Sequence, residues 1–391
     1  MKSKAISLYI VLFFLCSFSS RASFVLLPME AEGQQNHLKA YGITYWALDK
    51  SYKVSWLLNY RGGSFLLPDA PEIRKECQIR GVTFEVLSDV ATNSILEDIS
   101  SPSQNMETVV LEKAPKIAVY TPKGKQPWDD AVTMVLTYAE IPFTEVYDEE
   151  VLSDQLLLYD WLHLHHEDFT GQYGKFFGNY RSTPWYIQQK AEAEALAKKL
   201  GYNKVSEEKL AVAKKIRDFV IGGGFMFAMC SATDSFDIAL SAEGVDICEP
   251  MFDGDDSEAN YQSKIDYTST FAFKDYKLER QPMVYEFSDI DTTEEHGKGA
   301  FSMDKDYFTL MEYSAKWDPI PTMLCQNHTQ LVKGFMGQTT AFDAEKIKSN
   351  VLVMGECKIN AEARYIHGTK GKGMFTFYGG HDPEDYQHRV G

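Results

Sequence analysis

Positive charge is scarce in this chain: 39 lysines and arginines stand against 56 aspartates and glutamates, a formal net charge of −17. A phosphate backbone needs a basic face, so no nucleic acid is expected as a partner, and anionic lipid is disfavoured for the same reason. Solubility is the plain meaning of the acidity. Cysteines number six, and no two are spaced Cys-x-x-Cys, which removes zinc-ribbon and thioredoxin-type sites. Internal repeats and low-complexity tracts are missing as well. After the first twenty or so residues no apolar run is long enough to cross a bilayer, so no transmembrane segment is expected.

What is present fits a folded protein of two domains. The chain has 391 residues, 44% of them hydrophobic and 24% charged. Aromatics make up 13%, which suits a well-filled core. Lys2 and Lys4 precede an almost wholly apolar stretch from Ala5 to Phe18, and Ser20-Arg21-Ala22 offers small residues at a cleavage site. Residues 1–22 therefore read as a signal peptide, and the expected location is exported, periplasmic. Lipidation at Cys16 is the weaker alternative, because Leu15 fits a lipobox poorly. Loss of the leader leaves Cys77, Cys230, Cys248, Cys325 and Cys357, an odd number, so at least one stays free unless it pairs between chains.

Residues 23–110 read as a small N-terminal α/β domain. Strands are expected at Phe24–Pro28, Lys53–Leu58, Ser64–Leu67 and Val82–Leu87, and helices at Asn36–Leu48 and Pro71–Arg80. Ile99–Met106 has the composition of a linker. From residue 114 to 391 the pattern changes to strand, helix, strand, helix, strand: Lys116–Tyr120, Asp129–Ala139, Pro142–Tyr147, Glu149–Leu157, Asp160–His165. That alternation predicts a mostly parallel, doubly wound α/β sheet, with its site at the carboxyl ends of the strands. A helix over Glu207–Val220, capped by Ser206, stops at Gly222-Gly-Gly224. The strand Phe225–Cys230 and the helix Thr233–Ala242 follow, then an acidic, irregular insertion near 250–310, and late strands at Val351–Met354 and Met374–Tyr378.

Cys230 is the sharpest candidate for chemistry. It ends an apolar strand before a helix, with Ala228 and Ala232 two residues away on either side. A nucleophile on a strand-to-helix elbow needs small neighbours there, and the helix amino end is expected to favour thiolate. The competing reading is a buried, inert cysteine. His381 closes a late strand and is the expected base, with Glu384 or Asp382 orienting its ring. His163, His165, His166, Glu167 and Asp168 cluster after the third strand of the alternation. His163 and His165 share a face and allow a metal reading, but no distant ligand set matches, and no metal is expected. A polar rim is preferred. His165, His166, Glu167 and Asp168 would contact substrate, and amides from Glu167 to Gly174, or that of Ser231, would hold an oxyanion. The Gln326-Asn-His328 and Gly334–Thr340 stretches either line the site or turn the chain. Asn327-His-Thr329 is an isolated sequon, and Arg61-Gly-Gly63 is either a hairpin turn or a ligand contact.

These residues resemble a known superfamily. The elbow Ala228-Met-Cys230-Ser-Ala232 and the closing Gly-His381-x-x-Glu384 resemble the class I glutamine amidotransferases. The stretch Gly371-Lys-Gly-Met-Phe-Thr-Phe-Tyr-Gly-Gly-His-Asp-Pro-Glu384 is most similar to their ThuA-like branch. Across nearly the whole chain, Asn36-His-Leu-Lys-Ala-Tyr-Gly42, Leu57-Leu-Asn-Tyr-Arg-Gly-Gly-Ser-Phe65, His165-His-Glu-Asp-Phe-Thr-Gly-Gln-Tyr-Gly174 and Gly334-Phe-Met-Gly-Gln-Thr-Thr340 resemble exported Bacteroidetes proteins labelled asparagine synthetase B. The resemblance implies a flavodoxin-like core and a Cys230–His381–Glu384 triad. ATP-dependent synthesis is not expected. Lys2 stands where those synthetases carry a cysteine, and Ser231-Ala-Thr-Asp-Ser235 lacks the glycines that wrap a pyrophosphate.

Two functions remain in view. One is a cysteine hydrolase acting on an amide or related acyl bond, needing no cofactor. The other is a non-catalytic or carbohydrate-binding protein on the same scaffold. Either takes a small molecule: an amide, an amino acid or a sugar derivative.

Overall fold

The computed structural model describes residues 22–122, 131–292, 307–326, 331–333, 339, 341–357 and 362–380. Cys16, Asn327, His328, His381, Asp382 and Glu384 lie outside them, as do most of the leader and of the Gly334–Thr340 stretch. The chain divides into two compact units, residues 1–114 with 314–328, and residues 115–313 with 329–391. The segment 314–328 thus belongs with the N-terminal unit, where the sequence reading had placed it in the second domain. The reason is local bonding. Gln326 accepts the Asn59 N–H at 2.9 Å and donates to the Asn59 side chain at 2.8 Å, and the Tyr41 hydroxyl donates to the Gln326 carbonyl.

In the first unit, strands β1 (Ala22–Leu27), β2 (Val54–Leu58), β3 (Ser64–Pro68), β4 (Glu85–Ser88) and β5 (Glu107–Leu111) form one antiparallel sheet in the order β4-β1-β3-β2-β5. Helix α1 (His37–Asp49) begins where the Asn36 side chain accepts the Lys39 N–H. Helix α2 (Pro71–Arg80) has proline in its first turn and ends on Gly81 at φ +66°. Along β1 the side chains alternate. Val25 and Leu27 pack with Ile43, Ala47, Ile73 and Cys77, whereas Leu26 packs with Leu57, Leu66 and Ile99. Burial of both faces is why these strands read as unbroken apolar runs.

The second face is covered by α3 (Asp89–Ser100), which the sequence reading missed. The supposed linker at Ile99–Met106 is therefore the end of α3 and the turn into β5, inside the unit. Helix α3 looks polar in sequence because it leaves one side in water: of its residues only Thr92 and Ile99 are buried.

Arg61-Gly-Gly63 is the β2–β3 turn. The Arg61 guanidinium is held by Glu30 at 2.5 Å and Glu85 at 2.8 Å, so it serves the fold and is not presented to a ligand. Gly62 has φ +76°, and a Cβ there would stand 2.4 Å from the Met29 carbonyl oxygen. Gly62→Ala combines that clash with a left-handed backbone and is expected to cost about 2 kcal/mol or more, read by urea denaturation.

The second unit is built on a ten-stranded mixed sheet. Its strands are β6 (Ile117–Tyr120), β7 (Phe143–Val146), β8 (Trp161–Leu164), β9 (Phe225–Met229), β10 (Tyr307–Leu310), β11 (Leu331–Lys333), β12 (Phe342–Asp343), β13 (Leu352–Cys357), β14 (Glu362–Lys370) and β15 (Gly373–Tyr378). The order is β11-β10-β13-β14-β15-β9-β8-β6-β7, with β12 on β14. The run β15-β9-β8-β6-β7 is parallel, and every other pairing is antiparallel. The architecture is therefore α/β, but only half of this sheet is parallel. The late strands expected at Val351–Met354 and Met374–Tyr378 are present as β13 and β15, but β14 between them escaped the sequence reading because it carries Glu362, Arg364 and His367, polar residues that tertiary packing buries.

The helices are α4 (Ala131–Ala139), α5 (Asp148–Leu152), α6 (Phe177–Tyr180), α7 (Pro184–Lys199), α8 (Val205–Gly222), α9 (Ser231–Ser241) and α10 (Pro250–Asp253). Helix α8 packs on α9, α5 and β15. It starts earlier than expected. Lys204, not Ser206, is the capping position, and the Glu207 carboxylate accepts the Asn203 and Lys204 N–H groups. The insertion is pinned to α9 by Asp237, whose carboxylate accepts the N–H groups of Phe271, Ala272 and Phe273 at 2.6, 2.7 and 2.9 Å. That seats Phe271 and Phe273 against Phe375 and Phe377 of β15. Among the described residues no helix is long and apolar enough to cross a membrane.

Candidate functional site

The parallel strands end together, and the residues that follow them face one region. Tyr120 closes β6, Tyr147 and Asp148 follow β7, His165 follows β8, Cys230 follows β9, and Gly379-Gly380 follow β15. The register sets Leu164 beside Ala228 and Met229 beside Tyr378, which brings the ends of β8 and β15 to either side of the cysteine.

Cys230 has φ +52° and ψ −140°. A side chain in that region is strained, and a surrounding structure must hold it there. Fully buried Ala228 and Ala232 leave the space for the reversal. The Cys230 N–H donates to the Tyr378 and Gly380 carbonyls, both at 3.2 Å, and its carbonyl accepts from the Thr233 N–H and hydroxyl. Helix α9 starts at the next residue, Ser231.

Cys230 is 2% exposed, and Ser231, Asp234 and Asp291 act on its thiol. Burial pushes it well above its ordinary value, Asp234 and Asp291 push it further, and hydrogen bonds from the Ser231 amide and hydroxyl offset only part. The expectation that the helix amino end favours thiolate is thus corrected. Desolvation and two neighbouring acids outweigh the helix end.

Asp234 lies one helical turn after Cys230 and is fully buried. Its Oδ1 accepts from the Thr339 hydroxyl at 3.1 Å and the Ser235 N–H at 2.9 Å. Burial, and next the Asp291 charge, hold its carboxyl well above the usual carboxylate range. Thr339 also donates its N–H to Asp291 at 2.7 Å and accepts the Gly380 N–H at 2.7 Å. Asp234, Asp291 and this use of Thr339 were not singled out in the sequence. Only Asp234 carried a signal, its helical spacing from Cys230.

The histidine cluster divides. His163 is fully buried, its ring against Phe227 at 5.9 Å and 6.3 Å from that of His165. His165 is buried, His166 is exposed, and their Nδ1 atoms are 2.8 Å apart. The rim loop then turns inward. Asp168 accepts the Thr170 N–H and hydroxyl at 2.6 Å and the Gly174 N–H at 2.9 Å, while Ser235 bridges the Glu167 carbonyl and the Phe169 N–H. The Thr170 and Gly174 amides are thus taken up by Asp168 and that of Phe169 by Ser235, so these three are not left to hold an oxyanion, while the Ser231 amide bonds the Cys230 thiol. Lys175, buried beyond it, donates to the Glu279 and Gln281 carbonyls, and burial lowers its ammonium to about 8.

Among the described residues no third ligand joins His163 and His165. Asp246, Cys248 and Asp253 do converge elsewhere, but the Lys204 ammonium stands 2.5 Å from Asp246 and 3.0 Å from Asp253. That one ammonium, which also bonds Asp255 at 2.5 Å, offsets part of the acid charge and takes up the carboxylate oxygens a metal would need. Among the described residues no disulfide joins Cys77, Cys230, Cys248, Cys325 or Cys357.

Beneath the ends of β6 and β7 lies a buried charge network. The Lys209 ammonium donates to Asp148 at 2.7 Å, to the Tyr120 hydroxyl at 3.0 Å and to the Tyr147 hydroxyl at 3.3 Å. The Tyr120 hydroxyl also bonds Asp148. Burial alone would lower the Lys209 ammonium; Asp148 outweighs it, and the group stays charged. Glu208 beside it is pushed up to about 8, chiefly by burial, against the Lys209 charge and with help from Asp148. Its folded value lies above its unfolded one, so the folded state binds the extra proton between about 4.5 and 8. Stability should therefore fall as pH rises through that window. Glu208→Gln should flatten the slope and gain stability most at its alkaline end, with an upper limit of ~1.4 kcal/mol per unit removed. Urea midpoints at pH 5 and pH 8 test this, and an unchanged slope would refute it.

No family model matches the chain, and no curated protein does. Among solved structures, two cytoplasmic proteins of Salmonella typhimurium align over 68% of this chain. One is 10% identical, with 87% of its own length covered and a TM-score of 0.33. The other is 14% identical, with 88% covered and a TM-score of 0.33. A catalytic mutant of the GH42 beta-galactosidase Gan42B from G. stearothermophilus aligns over 68% of this chain and 27% of its own, at 9% identity and a TM-score of 0.28.

Proposed function

We propose that this chain is an amidotransferase-like cysteine hydrolase acting on an amide or related acyl bond of a small molecule. The observation that carries the reading is the backbone of Cys230, φ +52° and ψ −140°, at the carboxyl end of a central parallel strand. Strain of this kind is concentrated at active sites, where the surrounding structure holds it. The parallel half of the sheet is then the flavodoxin-like core of a class I glutamine amidotransferase-like domain, nearest its ThuA-like branch, and the asparagine synthetase B label describes kinship rather than ATP chemistry.

The Cys230 sulfur attacks the carbonyl carbon and the Ser231 amide receives the developing oxyanion. His381 takes the thiol proton and returns it to the leaving amine as the C–N bond breaks. Water then cleaves the thioester, and Glu384 orients His381. A thiol raised by burial makes that base necessary. Gly380, whose carbonyl accepts the Cys230 N–H, is the residue immediately before His381. An exported, periplasmic setting belongs to the same proposal.

A second reading, a carbohydrate-binding protein on this scaffold, is favoured by the same raised thiol. The folded protein should be incubated with an electrophilic glutamine analogue and an acyl chloromethyl ketone, then analysed by peptide mass spectrometry. A one-to-one adduct on the Cys230 peptide supports the hydrolase. No adduct with either reagent leaves the binding reading.

A further inference from the structure

Thr339 is fully buried, at φ +55°, a left-handed conformation that is unusual for a β-branched residue. All three of its polar groups point into the site. Its hydroxyl donates to Asp234 at 3.1 Å, its N–H donates to Asp291 at 2.7 Å, and its carbonyl accepts the Gly380 N–H at 2.7 Å. Gly380 in turn accepts the Cys230 N–H at 3.2 Å. One strained residue thus joins the first turn of α9, Asp291 of the insertion, and the end of β15.

We propose that Thr339 is the positioning residue of this site: it clamps the Gly380 end of β15 against the Cys230 elbow by tying both to the buried pair Asp234 and Asp291. The catalytic role of Cys230 in the hydrolase reading rests on that placement, because the chain passes from Gly380 directly into His381. Oδ1 of Asp234 is committed to Thr339 and Ser235, while Oδ2 has no hydrogen-bond partner among the described residues. A buried acid left half satisfied is costly, so the clamp is a feature the fold sustains against its own stability.

The test uses the full chain and needs no turnover. Alkylation of each cysteine by iodoacetamide is followed by peptide mass spectrometry, with Cys248, equally buried in the same unit, as the reporter of general opening. Thr339→Val removes the hydroxyl at constant shape. It should raise the Cys230 rate about tenfold or more without raising that of Cys248, while Thr339→Ser should stay within about twofold of the parent. Should Thr339→Val fail to fold, Asp234→Ala removes the same bond from the other side, and Asp234→Asn keeps an acceptor for the Thr339 hydroxyl and should behave like the parent. A Cys230 rate unchanged in Thr339→Val, a parallel rise at Cys248, or a Thr339→Ser variant as reactive as Thr339→Val would each overturn the clamp. Failure of Cys230 to form an acyl adduct would sink the hydrolase reading but leave this result standing, since alkylation reports only on where the thiol is held.

Discussion

Cys230→Ala should abolish adduct formation by the electrophilic glutamine analogue, leaving no labelled peptide at saturating reagent. The reaction needs sulfur at this position, and the other described thiols sit on ordinary backbone. His381→Gln should slow labelling without abolishing it, because the sulfur remains and only its base is lost. Cys230→Gly separates chemistry from fold. It also ends labelling, yet glycine is at ease at φ +52° whereas alanine keeps the strain. The glycine variant should therefore be more stable than the alanine variant by about 1–2 kcal/mol. Labelling that survives in Cys230→Ala would remove this residue from the mechanism. A glycine variant no more stable than the alanine one would mean that the elbow is not strained as described.

The largest loss of stability is expected at Lys209. Its ammonium is the counter-charge of Asp148, a side chain 1% exposed, and the nearest other acid is Glu208. Lys209→Met leaves Asp148 buried without a cation and should cost about 3–5 kcal/mol in urea denaturation. The double variant Lys209→Met, Asp148→Asn removes both charges and should recover a substantial part of that loss, because desolvation of the ions disappears along with their attraction. A loss below about 1 kcal/mol in the single variant would show that water reaches the pair.

Cys230 and its small neighbours Ala228 and Ala232 were legible from local pattern, because an elbow is a property of five consecutive residues. The protonation of the thiol was not. The acids that raise it are Asp291, 61 residues downstream, and Asp234, whose spacing shows its helix face but not its burial. The rim loop misled in a related way. Glycines at 171 and 174 suggest amides turned toward a ligand, but Asp168, in the same stretch, claims those of Thr170 and Gly174. A polar residue beside a glycine-rich turn serves the turn as readily as a substrate, and sequence cannot rank the two.

By itself the sequence determined the periodicity that makes the strands and helices around β6 to β9, the stop at Gly223, and the apolar strand that delivers Cys230 to a helix. These follow from spacing and backbone preference within a few residues. Tertiary structure alone decided that the sheet continues antiparallel through β14, that 314–328 returns to the first unit, and that Thr339 meets Asp234, Asp291 and Gly380. Each depends on contacts between distant segments, where burial can make a polar residue part of the core and a charge part of a network.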